Sequence, residues 1–242
     1  MISTTNTAIK QNLPTNPLSS HSFEHNLATK TLIIFDWDGT LMDSIGLIVE
    51  TMHIAGEAHG FSTTDQAVKS IIGLSLMNGI ETLYPQATAI EQQAIHKSYV
   101  DYYVPNSQRT PFFKSIEQLL QSLKNQGKEL AVATGKNRQG LDRVLKVSNS
   151  EHYFVITRCT DESGSKPDPQ MLKDILNVTQ KSIAEAVYIG DSIFDIQMAN
   201  ALGMTSIAVS YGAATAIELA AQQPTYQANT PSDLANLLSA TS

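Results

Sequence analysis

The stretch TLIIF at 31–35 runs directly into Asp36-Trp37-Asp38-Gly39-Thr40. Four of its five positions are large and apolar, with no alternation. That pattern suits a strand covered on both faces, as in a parallel sheet. The same grammar returns downstream: ELAVA at 129–133 leads into Thr134-Gly135, and YFVI at 153–156 is a shorter version. AVYI at 186–189 leads into Gly190-Asp191-Ser192, and TSIAV follows at 205–209. Helical patterns at 115–125, 138–147, 169–177 and 192–202 separate these runs. Strands alternating with helices of this length predict βαβ units and an α/β fold built on a doubly wound parallel sheet.

One region breaks the rhythm. Between Phe35 and Pro111 there are helical patterns at 44–59, 64–72, 75–83 and 90–104 and no strand pattern. This predicts an α-helical domain of residues 45–108 inserted after the first strand, with a turn-rich return hinge at 105–111. The core domain is then 31–44 together with 109–242. An insertion beside the carboxyl ends of the strands sits over the crevice in which such sheets bind ligands. Residues 1–30 are rich in Ser, Thr, Asn and Gln without periodicity and read as a flexible leader.

Composition narrows the function classes. Hydrophobic residues make up 42% of the 242, near the ~45–50% of globular chains, which excludes full-length disorder and collagen. A net charge of -7 argues against nucleic acid or an anionic membrane as a partner through the overall field. The apolar runs are far too short to span a bilayer, and no apolar signal core stands near the N-terminus, so a cytoplasmic protein is expected. The single cysteine, Cys159, excludes a disulfide framework or zinc ribbon within the chain and reads as a buried thiol. His53, His59 and His96 lack metal-ligand spacing and read as surface or structural. Neither GxGxxG nor GxxxxGK[ST] is present. Lys136, Arg138 and Arg143 read as solvated, with Lys136 the one within reach of the crevice.

The chemistry-bearing residues sit where strands end. Asp36 and Asp38 are two apart just past the first strand, so they project to one side. An aspartate carboxylate can serve as a nucleophile towards phosphorus, and the second acid can handle protons. Taken alone, Asp-x-Asp-Gly is equally an acidic turn. Asp191 and Asp195 open a later helix, where they also read as an N-cap and a first-turn dipole partner. Gathered near Asp36, these carboxylates repel one another unless a cation is present, and a few hard oxygen ligands suit Mg²⁺. Thr134-Gly135 precedes a helix and can form an anion site. Lys166, in the turn Ser165-Lys166-Pro167-Asp168-Pro169, offers a point charge for phosphate or is an exposed turn residue.

Four segments together, FDWDGTLMDS (35–44), VATGK (132–136), SKPDP (165–169) and GDSIFDI (190–196), resemble the haloacid dehalogenase superfamily of phosphohydrolases. The helical insertion is similar to the cap of its phosphoglycolate phosphatase-like branch. The resemblance implies a Rossmann-like core and a Mg²⁺-dependent phosphatase acting on a small phosphorylated metabolite, which includes phosphoglycolate. By the same resemblance Asp36 is the phosphorylated nucleophile. Asp38 is the general acid and base, with its backbone carbonyl on the metal, and Thr134 and Lys166 hold the phosphoryl oxygens. Asp36, Asp38 and Asp191 are the implied metal ligands, and Asp195 orients the metal's surroundings. A monomer or weak homodimer is expected. Ser165 stands where the family often has glycine, and Gly135 where it has Asn or Ser. Two alternatives stay open at this point: a phosphoglucomutase-like isomerase, and a non-catalytic regulatory protein on the same fold. Selectivity is expected to come from the insertion, above all the turn at 73–77.

Overall fold

The computed structural model describes residues 26–239. Six parallel strands form one sheet: β1 (Leu32–Phe35), β2 (Glu129–Thr134), β3 (Ile156–Cys159), β4 (Ala186–Gly190), β5 (Thr205–Val209) and β6 (Tyr226–Ala228). Their order is β3-β2-β1-β4-β5-β6, with Phe35 level with Val132 on one side and Ile189 on the other. The order reverses between β1 and β4, which opens a crevice at the carboxyl ends of the strands. Alternate residues of the central strands feed separate apolar layers. Ile33, Phe35, Val132 and Ile189 pack on one face, and Leu32, Ile34, Ala131 and Tyr188 on the other. Burial on both faces is why these strands carry no polar alternation.

Helices fill the connections. The insertion after β1 holds α1 (Ile45–Glu57), α2 (Asp65–Ile71), α3 (Leu76–Leu83) and α4 (Ala89–Asn106). The remaining helices are α5 (Ile116–Asn125), α6 (Arg138–Val147), α7 (Thr160–Ser163), α8 (Gln170–Thr179), α9 (Ile193–Asn200), α10 (Ala216–Ala220) and α11 (Pro231–Ser239). The four inserted helices enclose an apolar core of their own, centred on Met52, Val68, Ile80, Tyr84 and Ile95. Side-chain caps start three of them: Thr64, Ser75 and Thr88 each accept from a backbone N–H of the first turn.

Three expectations are corrected. YFVI at 153–156 is not the third strand; only Ile156 belongs to β3. Glu151–Tyr153 forms a 3₁₀ turn instead, with Tyr153 buried in the core and the following Phe154 packed on it, edge-on to Trp37 at 6.2 Å. The return from the insertion is not a turn at Pro105, because α4 continues to Asn106. Proline there removes only one late backbone donor, and a 3₁₀ turn, Ser107–Arg109, follows. Arg109 then clamps Glu50 of α1 through two bonds of 2.9 and 3.1 Å. Of residues 26–30, expected in the leader, Leu27–Thr29 forms a 3₁₀ turn, and Leu27 and Lys30 are buried. Leu27 sits in the core, and the buried Lys30 ammonium donates to the Ala184 carbonyl at 2.7 Å. The rest of the expected leader, 1–25, lies outside the described residues.

Candidate active site

Strand alternation continues past β1 and sorts the acidic segment. Trp37 turns into the apolar layer against Phe112 and Phe154, while Asp36 and Asp38 face the crevice. Gly39 then takes φ of +72°, a turn that favours glycine. Asp36, Asp191 and Asp195 are all buried, and each has a carboxylate oxygen within 4.8 Å of the others. The Lys166 ammonium lies 2.7 Å from Asp36 Oδ1 and 2.7 Å from Asp195 Oδ1, and it is itself buried.

The three carboxylates differ in how far they are satisfied. Asp195 Oδ1 accepts from Lys166 and from the Tyr188 hydroxyl at 2.6 Å, and its Oδ2 accepts from the Ser192 N–H and hydroxyl at 2.9 and 2.7 Å. With about four acceptor sites, that carboxylate is full. Burial would raise it, but Lys166 and the surrounding hydrogen bonds hold Asp195 below the ordinary aspartate range. Asp191 accepts one bond per oxygen, from the Thr40 hydroxyl at 3.0 Å and the Ala213 N–H at 2.7 Å. Burial, then the charges of Asp36 and Asp195, push it well up. Asp36 Oδ1 is buried and pairs with the Lys166 ammonium. Burial pushes Asp36 up to about 7, against the pull of Lys166.

Three buried carboxylates around one ammonium leave an excess of negative charge. Asp36 and Asp191, with oxygens within 4.8 Å of each other, have lone pairs to spare, whereas Asp195 has none. This donor set fits a small, hard divalent cation that keeps waters and a substrate phosphate among its ligands, which is the habit of Mg²⁺.

Asp38 stands apart from this trio. Its Oδ1 accepts from the Ser44 hydroxyl at 2.7 Å, and its Oδ2 pairs with the Lys136 ammonium at 2.8 Å. Lys136 is therefore not solvated, as its sequence position had led us to expect. Burial alone would lower its pKa, but Asp38 and then Tyr103 hold it above the ordinary lysine value. The buried Thr134 hydroxyl accepts from the Lys136 N–H at 3.3 Å and faces the same space.

The insertion closes directly on these groups. A cavity of about 410 Å³ lies between them, bounded by Asp36, Asp38 and Thr134 on one side and by residues 71–77 of the insertion on the other. Ser75 N–H donates to the Ser165 hydroxyl at 3.0 Å, and Lys136 Nζ donates to the Tyr103 hydroxyl at 3.4 Å. A Cβ at Gly135 would stand 2.5 Å from the Gly73 carbonyl oxygen and 2.6 Å from that of Leu74. Both departures from the family pattern, Ser165 and Gly135, thus sit at the contact with the insertion.

A family model described as haloacid dehalogenase-like hydrolase matches residues 33–209. The chain belongs to that family. It is an enzyme, a hydrolase. It is similar to a plasmid-borne phosphoglycolate phosphatase of Cupriavidus necator, 30% identical over 195 residues that cover 75% of this chain and 81% of that one. It is also similar to pyrophosphatase PpaX of Bacillus mycoides, 26% identical over 210 residues that cover 86% and 96% of the two chains. A hydrolase from Pseudomonas syringae shares the fold, with a TM-score of 0.79 at 23% identity over 87% of this chain and 99% of that one.

Within this haloacid dehalogenase-like hydrolase the structure brings Asp36, Lys166, Asp191 and Asp195 into one buried cluster, with Asp38 and Thr134 beside it. Thr40, Ser44 and Tyr188, to which the sequence assigns no role, position those groups. Tyr188 alone carried a signal: a hydroxyl inside an otherwise apolar buried strand must find a partner. Two of the three histidines in the insertion are structural as expected, His53 with Asp65 at 2.8 Å and His59 with Ser98 at 2.9 Å; His96 lines the cavity. Cys159 is buried as expected, and burial pushes its thiol up to about 12. Among the described residues no helix is long and apolar enough to cross a membrane.

Proposed function

We propose that this hydrolase is a Mg²⁺-dependent phosphomonoesterase that acts on a small phosphorylated metabolite through an aspartyl-phosphate on Asp36. The observation that carries the reading is the state of Asp36. It is a buried carboxylate pushed up by burial to about 7, paired with a buried ammonium through Oδ1 at 2.7 Å and standing within 4.8 Å of two further carboxylates. Asp195 is fully engaged by four donors, whereas Lys166 is the one close donor to the Asp36 carboxylate among the described residues, which leaves Asp36 lone pairs for a metal and for phosphorus.

Asp36 and Asp191, with the backbone carbonyl of Asp38, would hold Mg²⁺, and Asp195 would orient Lys166 and the surroundings of the ion. Bound there, Mg²⁺ supplies charge that keeps Asp36 ionised and neutralises phosphoryl oxygens. An Asp36 oxygen attacks phosphorus and the bond to the leaving oxygen breaks. Asp38, held in place by Ser44 and Lys136, gives its proton to that leaving oxygen. Lys166 and Thr134 bind the phosphoryl oxygens, whose charge spreads in the transition state. Asp38 then takes a proton from water as it attacks phosphorus, which frees inorganic phosphate and regenerates Asp36. Residues 45–108 act as the cap that shuts water out during the first step.

The test is phosphate release from p-nitrophenyl phosphate, with Mg²⁺ and with excess EDTA. Release that requires Mg²⁺ is expected. Equal release in EDTA removes the metal from the reading, and no release from any phosphomonoester removes the reading itself.

A further inference from the structure

The wall facing the acids is not built for a small anion. Ile48, Met52, Ile71, Leu74 and the stacked rings of Tyr99 and Tyr103, 5.5 Å between centroids, make most of it apolar. At about 410 Å³ the cavity falls in the range of roughly 300–1,000 Å³ that encloses drug-sized ligands. A phosphoryl group with a two-carbon leaving group would leave most of that apolar surface uncovered.

Lys136 and Arg143 both line the cavity, and among the described residues only Lys136 is paired with an acid. Lys136 is held by Asp38 and Tyr103. Arg143 projects from α6 on the same face as Gln139, one turn away, and Gly140 adds no side chain between them. Among the described residues no acid lies within ion-pair distance of Arg143. Its Nε–H is buried and has no hydrogen-bond acceptor. Its charge also reaches the Tyr103 hydroxyl, which burial raises and which Lys136 and Arg143 pull back. A half-buried guanidinium that lines an apolar cavity with no acid beside it has a carboxylate or phosphate as its natural complement.

We infer that the leaving group of the substrate carries an apolar or aromatic body, packed on the Tyr99–Tyr103 wall, that ends in an anion bound by Arg143. This rests on the phosphomonoesterase reading and narrows it. It sets the chain apart from the substrates for which its relatives are named, pyrophosphate and phosphoglycolate, whose leaving groups have no such body.

The test compares esters of similarly basic alcohols: phosphoglycolate, 2-phenylethyl phosphate and 2-(4-carboxyphenyl)ethyl phosphate, with pyrophosphate alongside. In the wild type, kcat/KM should be at least tenfold higher for 2-phenylethyl phosphate than for phosphoglycolate or pyrophosphate. The ring carboxylate should add about 10–100-fold more, the scale of a hydrogen bond to a charged group. In Arg143→Met that added factor should fall to about one. Arg143→Gln, which keeps a polar head, serves should the methionine variant fold poorly. Binding of 3-phenylpropylphosphonate and its 4-carboxylate, measured by calorimetry with Mg²⁺, should show the same carboxylate gain and the same loss. A lead for phosphoglycolate or pyrophosphate overturns the inference, as does a carboxylate gain that is absent in wild type or survives in Arg143→Met. Were none of the esters hydrolysed, the phosphomonoesterase reading would fall, and the phosphonate affinities would still decide what the cavity binds.

Discussion

Replacing Lys166 with methionine removes the one ammonium that, among the described residues, pairs with the buried carboxylates, and keeps most of the side chain's bulk. The charge is 2.7 Å from both Asp36 and Asp195. Breaking a buried ion pair from one side costs about 3–5 kcal/mol, because the partner is left charged and unpaired. For a chain of this size each kcal/mol shifts Tm by about 2–4 °C, so the variant should melt about 6–20 °C lower in EDTA. The deficit should depend on pH. In the wild type Lys166 is lowered by burial but raised more by Asp195 and Asp36, so its folded pKa lies above the usual value. Such a group contributes fully below its unfolded pKa of about 10.4, hence evenly from pH 5 to 9. In the variant Asp36, already pushed up to about 7, and Asp195 lose the cation that opposed their burial. Carboxyls raised in the folded state give stability that is complete below about pH 4 and is lost as pH climbs through the folded value. The gap between variant and wild type should therefore widen from pH 5 to pH 8. Turnover should fall by about 10²–10³, the scale of one lost oxyanion donor. Thermal scans in EDTA at the two pH values, with kcat measured in Mg²⁺, decide it. A variant within about 2 °C of wild type at pH 8, with kcat within about twofold, would show that Lys166 neither offsets the buried carboxylates nor serves turnover.

Three further outcomes are expected. Mg²⁺ should raise the wild-type Tm more at pH 7.5 than at pH 5.5, because the raised carboxyls of Asp36 and Asp191 bind protons in competition with the ion; in Asp191→Asn the rise should largely vanish at both. Gly135→Ala should raise KM and lower kcat/KM with only a small loss of Tm, since its Cβ would push back the Gly73 and Leu74 carbonyls of the insertion, and unchanged kinetics would show that this contact does not matter. Cys159, with its thiol pushed up to about 12 and buried, should resist iodoacetamide at pH 8 in the native protein and react once denatured, as mass spectrometry would show.

The centre of the sheet was legible because β1, β2, β4 and β5 are covered on both faces, so apolar runs had no other good reading. The edges were not. β3 is half exposed along Ile156–Arg158, and β6 has only three residues, so neither needs an apolar run. YFVI misled because a 3₁₀ turn can bury aromatic side chains as well as a strand does. Motif residues at strand ends were readable from order and context. Their partners were not, because Thr40 reaches Asp191 and Ser75 reaches Ser165 across 151 and 90 positions. Lys136 was misjudged for the same reason: it looked like a helix-start lysine until the fold set Asp38 and Tyr103 against it. Nothing in the local sequence marks Arg143 as unpaired, since that depends on which acids the fold leaves out of its reach.

In the proposed reaction Asp36 carries the phosphoryl group. The direct measurement is acid quenching within one turnover, with p-nitrophenyl phosphate and Mg²⁺, followed by peptide mass spectrometry. One phosphoryl group should appear on Asp36, at up to one per chain, and decay as phosphate is released; Asp36→Asn should show neither the adduct nor turnover. Turnover with Asp36 unmodified at every time point, or full activity in freshly prepared Asp36→Asn, would contradict it.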